Sequence, residues 1–296
     1  SPRAGTTVTW TSLDPSSPAT ISGALPVTGW KADAARPGVF AAPLPPAAAA
    51  RPSAVRHLWV RGKRAFKPRY YPVPGSVAVV ENSSVPFGAD LPYGGYFFNT
   101  SALDPAKFRN PTNVEFVYTG RVGARAPPPT GYADGHERGV QSGEDPWTEM
   151  RCTVASVNNR SVALKRACWD ALPFAGAEDT SSYARSDRHQ PPAYLENVEV
   201  NFTEAGEWYL DSAASKILYR PRAGETIADV EESAITSVSS TLLVLRGARH
   251  HRWVSVGFEY AVWDPVSAEQ RGYVDIQSGQ IFNGSVIAAS TLQLYG

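Results

Sequence analysis

Gly206–Glu225 reads GEWYLDSAASKILYRPRAGE. Glu207-Trp-Tyr-Leu and Ile217-Leu-Tyr-Arg are short runs of β-formers around Asp211-Ser-Ala-Ala-Ser215, a small polar turn, which is the pattern of a β-hairpin. Trp208 and Tyr219 carry its apolar load, and Pro221 with Gly224 ends it. The sequence changes character on either side. Upstream, dissimilar strands are joined by long Pro-rich connections; downstream, short apolar runs come at fairly even spacing. The hairpin reads as the joint between two architectures.

Composition sets the limits. The 296 residues, 43% of them hydrophobic, suffice for one large or two ordinary cores. Twenty-eight basic and 28 acidic residues cancel, so nothing points to a nucleic-acid or anionic-membrane partner. Twenty-five Pro and 24 Gly disfavour helices, and a mainly β chain follows. No apolar run approaches the roughly 18 residues that would cross a bilayer. The chain opens at Ser1 without an initiator Met and stops on the strand-like Thr291-Leu-Gln-Leu-Tyr-Gly296. A processed or partial chain, continuing past Gly296, is the expectation.

Asn-x-Ser/Thr sequons stand at Asn82, Asn99, Asn159, Asn201 and Asn283, whereas Asn110 is followed by Pro111. Chance supplies about one or two at this composition, so the excess predicts a secreted or cell-surface glycoprotein. Cys152 and Cys168 flank a strand–turn–strand pattern. With Asn159-Arg-Ser161 as a three-residue loop, the two face each other across an antiparallel pair, near bridging range. A disulfide is expected; two buried free thiols are the alternative.

Along the chain, Thr7-Val-Thr-Trp10 and Ala19-Thr-Ile-Ser22 are short strands separated by Asp14-Pro-Ser-Ser-Pro18. Arg61-Gly62-Lys63 is a hairpin turn. Residues 70–112 and 120–146 read as long Pro-containing loops around the strand Asn113-Val-Glu-Phe-Val-Tyr118. After Asp229, Ser240–Leu245, Trp253–Phe258, Tyr273–Gln277 and Ser285–Ala289 recur at roughly 10–20 residues, as stacked coils of a parallel β-helix would. A small antiparallel sheet fits that spacing too.

The order of motifs resembles secreted right-handed parallel β-helix repeat proteins, some of them glycoside hydrolases. The matching pieces are Ile21-Ser-Gly23 with Val27-Thr-Gly-Trp30, and Arg56-His-Leu-Trp-Val-Arg-Gly-Lys-Arg-Ala65. Next come Val114-Glu-Phe-Val-Tyr118, Trp147-Thr-Glu-Met-Arg-Cys152 and Cys168-Trp169. Glu207-Trp-Tyr-Leu-Asp211 with Leu218-Tyr-Arg-Pro221 follows, then Val256-Gly-Phe-Glu-Tyr-Ala-Val-Trp263. The resemblance implies a mainly β fold in which the first coils of a right-handed parallel β-helix are interrupted by a large inserted β-sandwich-like domain. Residues 1–22 and 229–296 would belong to the β-helix and 23–228 to the insertion. The catalytic carboxylates of the resembling hydrolases lie further along, on coils beyond Gly296.

A glycosidase needs two carboxylates across the scissile bond, roughly 5–9.5 Å apart. If Val254, Val256 and Phe258 face inward, Ser255, Gly257 and Glu259 face out, leaving Glu259, Asp264 and Asp275 as candidate acids beside the reading of ordinary surface carboxylates. Trp263, Tyr273, Tyr93 and Tyr96 are candidate sugar-stacking rings, with core packing the alternative. The histidines have no metal-ligand spacing, and no phosphate loop or dinucleotide fingerprint occurs, so neither metal nor cofactor is expected. The leading reading is a secreted glycoprotein that binds or hydrolyses extracellular polysaccharide. The alternative is a non-catalytic structural or adhesive part of an extracellular glycoprotein assembly, cell wall or cell surface.

Overall fold

A computed structural model describes residues 6–73, 75–80, 94–119, 148–171, 191–262, 273–276, 279–282, 285–287 and 292–295. The chain is mainly β, and its described strands fall into two kinds of pairing.

The central hairpin forms as its residues dictate. Trp208–Asp211 and Lys216–Tyr219 pair antiparallel with Trp208 opposite Tyr219, and the Asp211 carboxylate accepts the Ala214 N–H at 3.1 Å inside the turn. Phe40–Pro43 and Lys31–Ala32 extend the hairpin to four strands. A second four-stranded sheet runs in the order Ala24–Pro26, Ile235–Ser237, Trp59–Val60, Lys63–Arg64. Its last two strands turn at Arg61-Gly62, both at positive φ (52° and 69°), the backbone that a two-residue hairpin turn requires. One apolar core contains Trp30, Leu58, Val60, Trp208, Ile217, Tyr219 and Val230. The capped helix Ile227–Ser233 contributes Val230; Thr226 and Asp229 form a reciprocal capping box at its start.

A ten-stranded antiparallel sheet holds a second core. Its main path runs through Thr148–Asn158, Glu115–Thr119, Tyr194–Glu196 and Arg69–Tyr70. Thr148–Asn158 also pairs with Ser161–Leu164, which leads on to Gly95–Phe98 and Val77–Val80. Period-two alternation puts Phe116, Tyr118, Cys152, Val154 and Leu195 on one face, against Tyr96, Phe98 and Trp169. Cys152 and Cys168 are bonded, with Cα atoms 5.7 Å apart. The route differs from the expected three-residue loop: Asn158 pairs with Ser161 across a two-residue turn, and Cys168 lies in the short helix Arg166–Ala171 rather than on the returning strand.

Parallel pairs join the two ends of the chain. Val8–Thr11 lies in register on His251–Val254, and Ala19–Ser22 on Val256–Glu259. Leu243–Arg246 pairs parallel with Leu292–Tyr295. The Ser12 hydroxyl donates to the Ser255 carbonyl and accepts the Ala19 N–H at 2.7 Å, tying one corner to the next. Gly23 ends the stack: its N–H donates to the Glu259 carbonyl at 3.1 Å, and a Cβ there would come within 2.7 Å of the Tyr260 carbonyl.

Two expectations need correction. Trp253–Phe258 is not one strand, because Ser255 adopts φ +51° and breaks it into two strands of different pairs. Alternation cannot be carried across that corner, and Phe258, expected inside, is 36% exposed. Tyr273–Ile276 and Ser285–Ile287 are not stacked in parallel; with Gly279–Phe282 they form an antiparallel meander that pairs with Thr148–Asn158.

Candidate functional site

Two places among the described residues concentrate chemistry. The first is on the other face of the ten-stranded sheet. The alternation that sends Phe116 and Cys152 into the core sends Glu115, Arg151 and Glu196 the opposite way. Glu115 and Glu196 are direct cross-strand neighbours, and Arg69 sits directly across from Glu196 on the next strand. Two carboxylates facing each other repel unless a cation bridges them. Arg151 does so: its Nη1 donates to Glu115 Oε2 at 3.0 Å and to Glu196 Oε2 at 2.8 Å. Arg56 closes on Glu115 as a fork, at 2.7 and 2.8 Å, and Arg69 donates to Glu196 Oε1 at 3.1 and 3.2 Å while stacking over the Tyr194 ring.

Lys67 lies in the same cluster, with its ammonium over the Trp208 ring at 5.3 Å, and so links the charged face to the hairpin core. Burial, acting against the pull of Glu115, brings its pKa down to about 8. His57 is held neutral: burial, with Arg64, Arg56 and Lys67 nearby, lowers it to about 3.

The electrostatics decide what this cluster does. Burial by itself would raise both carboxyls, yet Arg56, Arg151 and Lys67 hold Glu115 far below the ordinary carboxylate range. Arg151, Arg69 and Lys67 bring Glu196 down to about 2 despite its burial. A glycosidase acid must keep its proton near neutral pH. Neither residue does, so the cluster binds strands together and does not donate protons.

The second place is the parallel stack. Trp10 and Trp253 are register partners with ring planes 8° apart and centroids at 5.1 Å. The Trp10 indole N–H donates to His251 Nδ1 at 3.0 Å, which fixes the ring's orientation. Phe258 stands 6.1 Å from Trp253, and Trp10 is 46% exposed. Glu259 ends this stretch on an exposed position.

The residues singled out from sequence do not gather into one site. Tyr96 is fully buried, its hydroxyl 2.7 Å from that of Tyr118, and has no face for a sugar. Tyr93, Trp263 and Asp264 lie outside the described residues, as do the sequon residues Asn82 and Asn283. Tyr273 and Asp275 lie on the strand next to Thr148–Asn158, with Asp275 opposite Glu149, which separates them in topology from Glu259. No group of three or more His, Cys, Asp and Glu with metal-binding geometry occurs among the described residues. Sequence reasoning missed the ion cluster: Glu115 alternates with core residues on the expected strand Asn113–Tyr118, but Arg69 and Glu196 sit on strands of two and three residues that no local pattern announces. It also missed Trp10 and Trp253, which only the parallel register brings together.

Comparison with family models and with curated proteins finds no match. Among solved structures, the chain is similar to one titled glycoside hydrolase. The identity is 16% over 89% of this chain and 39% of that one, with a TM-score of 0.49. No described helix is long and apolar enough to cross a membrane.

Proposed function

We propose that this chain carries successive coils of a right-handed parallel β-helix, interrupted by an inserted antiparallel β-domain, and that it binds or hydrolyses extracellular polysaccharide. One observation carries the architecture. Two consecutive strands, Val8–Thr11 and Ala19–Ser22, lie in register on two other consecutive strands, His251–Val254 and Val256–Glu259, more than 200 residues later. Coil lying upon coil is how a β-helix is built. The Trp10–Trp253 stack is then an aromatic ladder along one wall. The ordered motifs shared with β-helix glycoside hydrolases support the carbohydrate reading, and the disulfide with the sequons supports an oxidising, secretory route.

Glu259 is the one described candidate acid placed on the parallel stack with its side chain exposed. Incubating the protein with a panel of plant and algal-type polysaccharides, while following both retention and release of reducing ends, tests the proposal. Binding or cleavage of at least one polymer is expected; the absence of both overturns it. Glu259→Gln is expected to abolish release and leave retention intact if Glu259 belongs to the catalytic pair.

The alternative, a non-catalytic structural or adhesive component, has a specific observation in its favour. Glu115 and Glu196, cross-strand neighbours in the described fold, are both consumed by ion pairing. Neither retention nor release of any polymer is the result that selects it.

A further inference from the structure

We propose that Asn99 and Asn159 carry a pair of N-linked glycans projecting from one end of the ten-stranded sheet, and that Asn201, a sequon of equal quality in sequence, does not. The inference rests on the secretory reading above and sorts its acceptors by geometry.

Asn159 is exposed at the apex of the two-residue turn between Asn158 and Ser161, at φ +49°, a conformation that asparagine tolerates. Asn99 is also exposed, one residue past the strand Gly95–Phe98. Tyr96 pairs with Val162 and Phe97 with Ser161, and the Phe98 N–H donates to the Arg160 carbonyl at 2.8 Å. Asn99 therefore lies at the same end of the sheet as the turn that holds Asn159. On its other side the Asn99 N–H donates to the Ser76 carbonyl at 2.8 Å, so the backbone at this end is held from both sides. The two acceptors leave the same end of the sheet, Asn99 just past a strand end and Asn159 from the turn beside it.

Asn201 is different. It closes the 3-10 turn Glu199–Asn201, and its side-chain carbonyl is shut away from solvent without a hydrogen-bond partner. A glycan on its amide would crowd the packing around that oxygen, so a chain modified there before folding would not reach this fold and would not be secreted.

In the modification, the asparagine Nδ2 attacks the anomeric carbon of a polyprenyl-diphosphate-linked oligosaccharide. The N-glycosidic bond forms, the carbon–oxygen bond to phosphate breaks, Nδ2 loses a proton and the polyprenyl diphosphate leaves. Timing follows from the fold. Ser161, whose hydroxyl completes the Asn159 sequon, is 2% exposed, so Asn159 is modified before the Asn158–Ser161 turn closes.

The test is site occupancy on the full chain, secreted from eukaryotic cells behind a cleavable leader. Peptide N-glycosidase F digestion in heavy-oxygen water, followed by peptide mass spectrometry, marks each occupied asparagine as labelled aspartate. Label at Asn99 and Asn159 with none at Asn201 is expected. Label at Asn201, or an unmodified Asn99 or Asn159 in secreted protein, overturns the proposal. Enzymatic glycosylation of already folded, unglycosylated protein is expected to modify Asn99 and leave Asn159 bare; equal modification of both overturns the proposed timing. The polysaccharide panel is blind to occupancy, so the two readings fail separately.

Discussion

Trp208 and Trp10 are the same residue in two regions that treat it oppositely. Trp208, on an antiparallel hairpin, is 1% exposed in a core closed by two four-stranded sheets and a helix. Trp10, on a parallel pair, is 46% exposed although its ring stacks on that of Trp253. An antiparallel hairpin brings its partner with it and needs only another layer to bury one face. A parallel pair gains a neighbour along one edge but buries its apolar face only when another layer covers it. Stacking orders Trp10; it does not desolvate it.

Truncating Trp208 to alanine is expected to cost about 3–5 kcal/mol, the range for a large buried aromatic. Trp10→Ala should cost less than about 1 kcal/mol, as surface changes do. Denaturant midpoints measure both, and equal losses would mean that the parallel stack is as closed as the antiparallel core. Glu115→Gln, which breaks the buried ion pair with Arg56, is expected to cost a similar 3–5 kcal/mol. Replacing Arg56 and Glu115 together by apolar residues should recover most of that loss, because the desolvation of the pair offsets most of its attraction.

Acid acts on the same cluster. Glu115 and Glu196 have folded pKa values below the ordinary 4.5, so their stabilisation is present above that value and is lost as pH falls through the folded ones. His57, lowered from 6.5 to about 3, adds a loss that begins near 6.5, because the unfolded chain takes up its proton first. Unfolding midpoints measured from about pH 7 down to about pH 3 should therefore fall gently and then steeply, with Glu115→Gln blunting the steep part.

Reducing the Cys152–Cys168 bond, which closes a 16-residue separation, should cost about 3 kcal/mol by releasing the unfolded chain. That loss belongs to the ten-stranded sheet, so protection of amide hydrogens should drop around Val154 and Leu164 and hold at Leu210 and Leu218. The last effect is alkaline. Lys67, lowered from 10.5 to about 8 mainly by burial, sheds its proton in the folded state first, so stability should rise between about pH 8 and pH 10. Lys67→Met should flatten the rise. Above about pH 10, Tyr209 and Tyr219, both pushed up by burial, reverse the slope.

Much of this was legible in the residues. Glu207–Arg220 specified its hairpin and Arg61-Gly62 its turn, because β-branched or aromatic runs around small polar residues leave few alternatives. The strand at Glu115–Thr119 was equally plain. The helix Ile227–Ser233 was not expected, although Thr226 and Asp229 spell a cap, because a Pro- and Gly-rich composition weighed against helices. Tyr96 misled for a different reason. An aromatic patch between glycines reads as a surface loop, whereas Gly95 lets its strand approach Val162 so closely that a Cβ would meet the Val162 carbonyl oxygen at 2.1 Å. Glu259 was placed outward by alternation that Ser255 interrupts, and it is exposed as the end of a new strand rather than the continuation of an old one.

The sequence by itself determined what depends on neighbours along the chain: mainly β structure, the central hairpin, the turns and the outward or inward phase of each confident strand. Tertiary structure decided what depends on distant partners. It set Val8–Thr11 on His251–Val254, paired Tyr273–Ile276, Gly279–Phe282 and Ser285–Ile287 as an antiparallel meander, and gathered Arg56, Lys67, Arg69, Glu115, Arg151 and Glu196 from five separate stretches. Pairing of distant strands is chosen by summed burial and charge compensation across the whole fold. No local window of residues holds that sum.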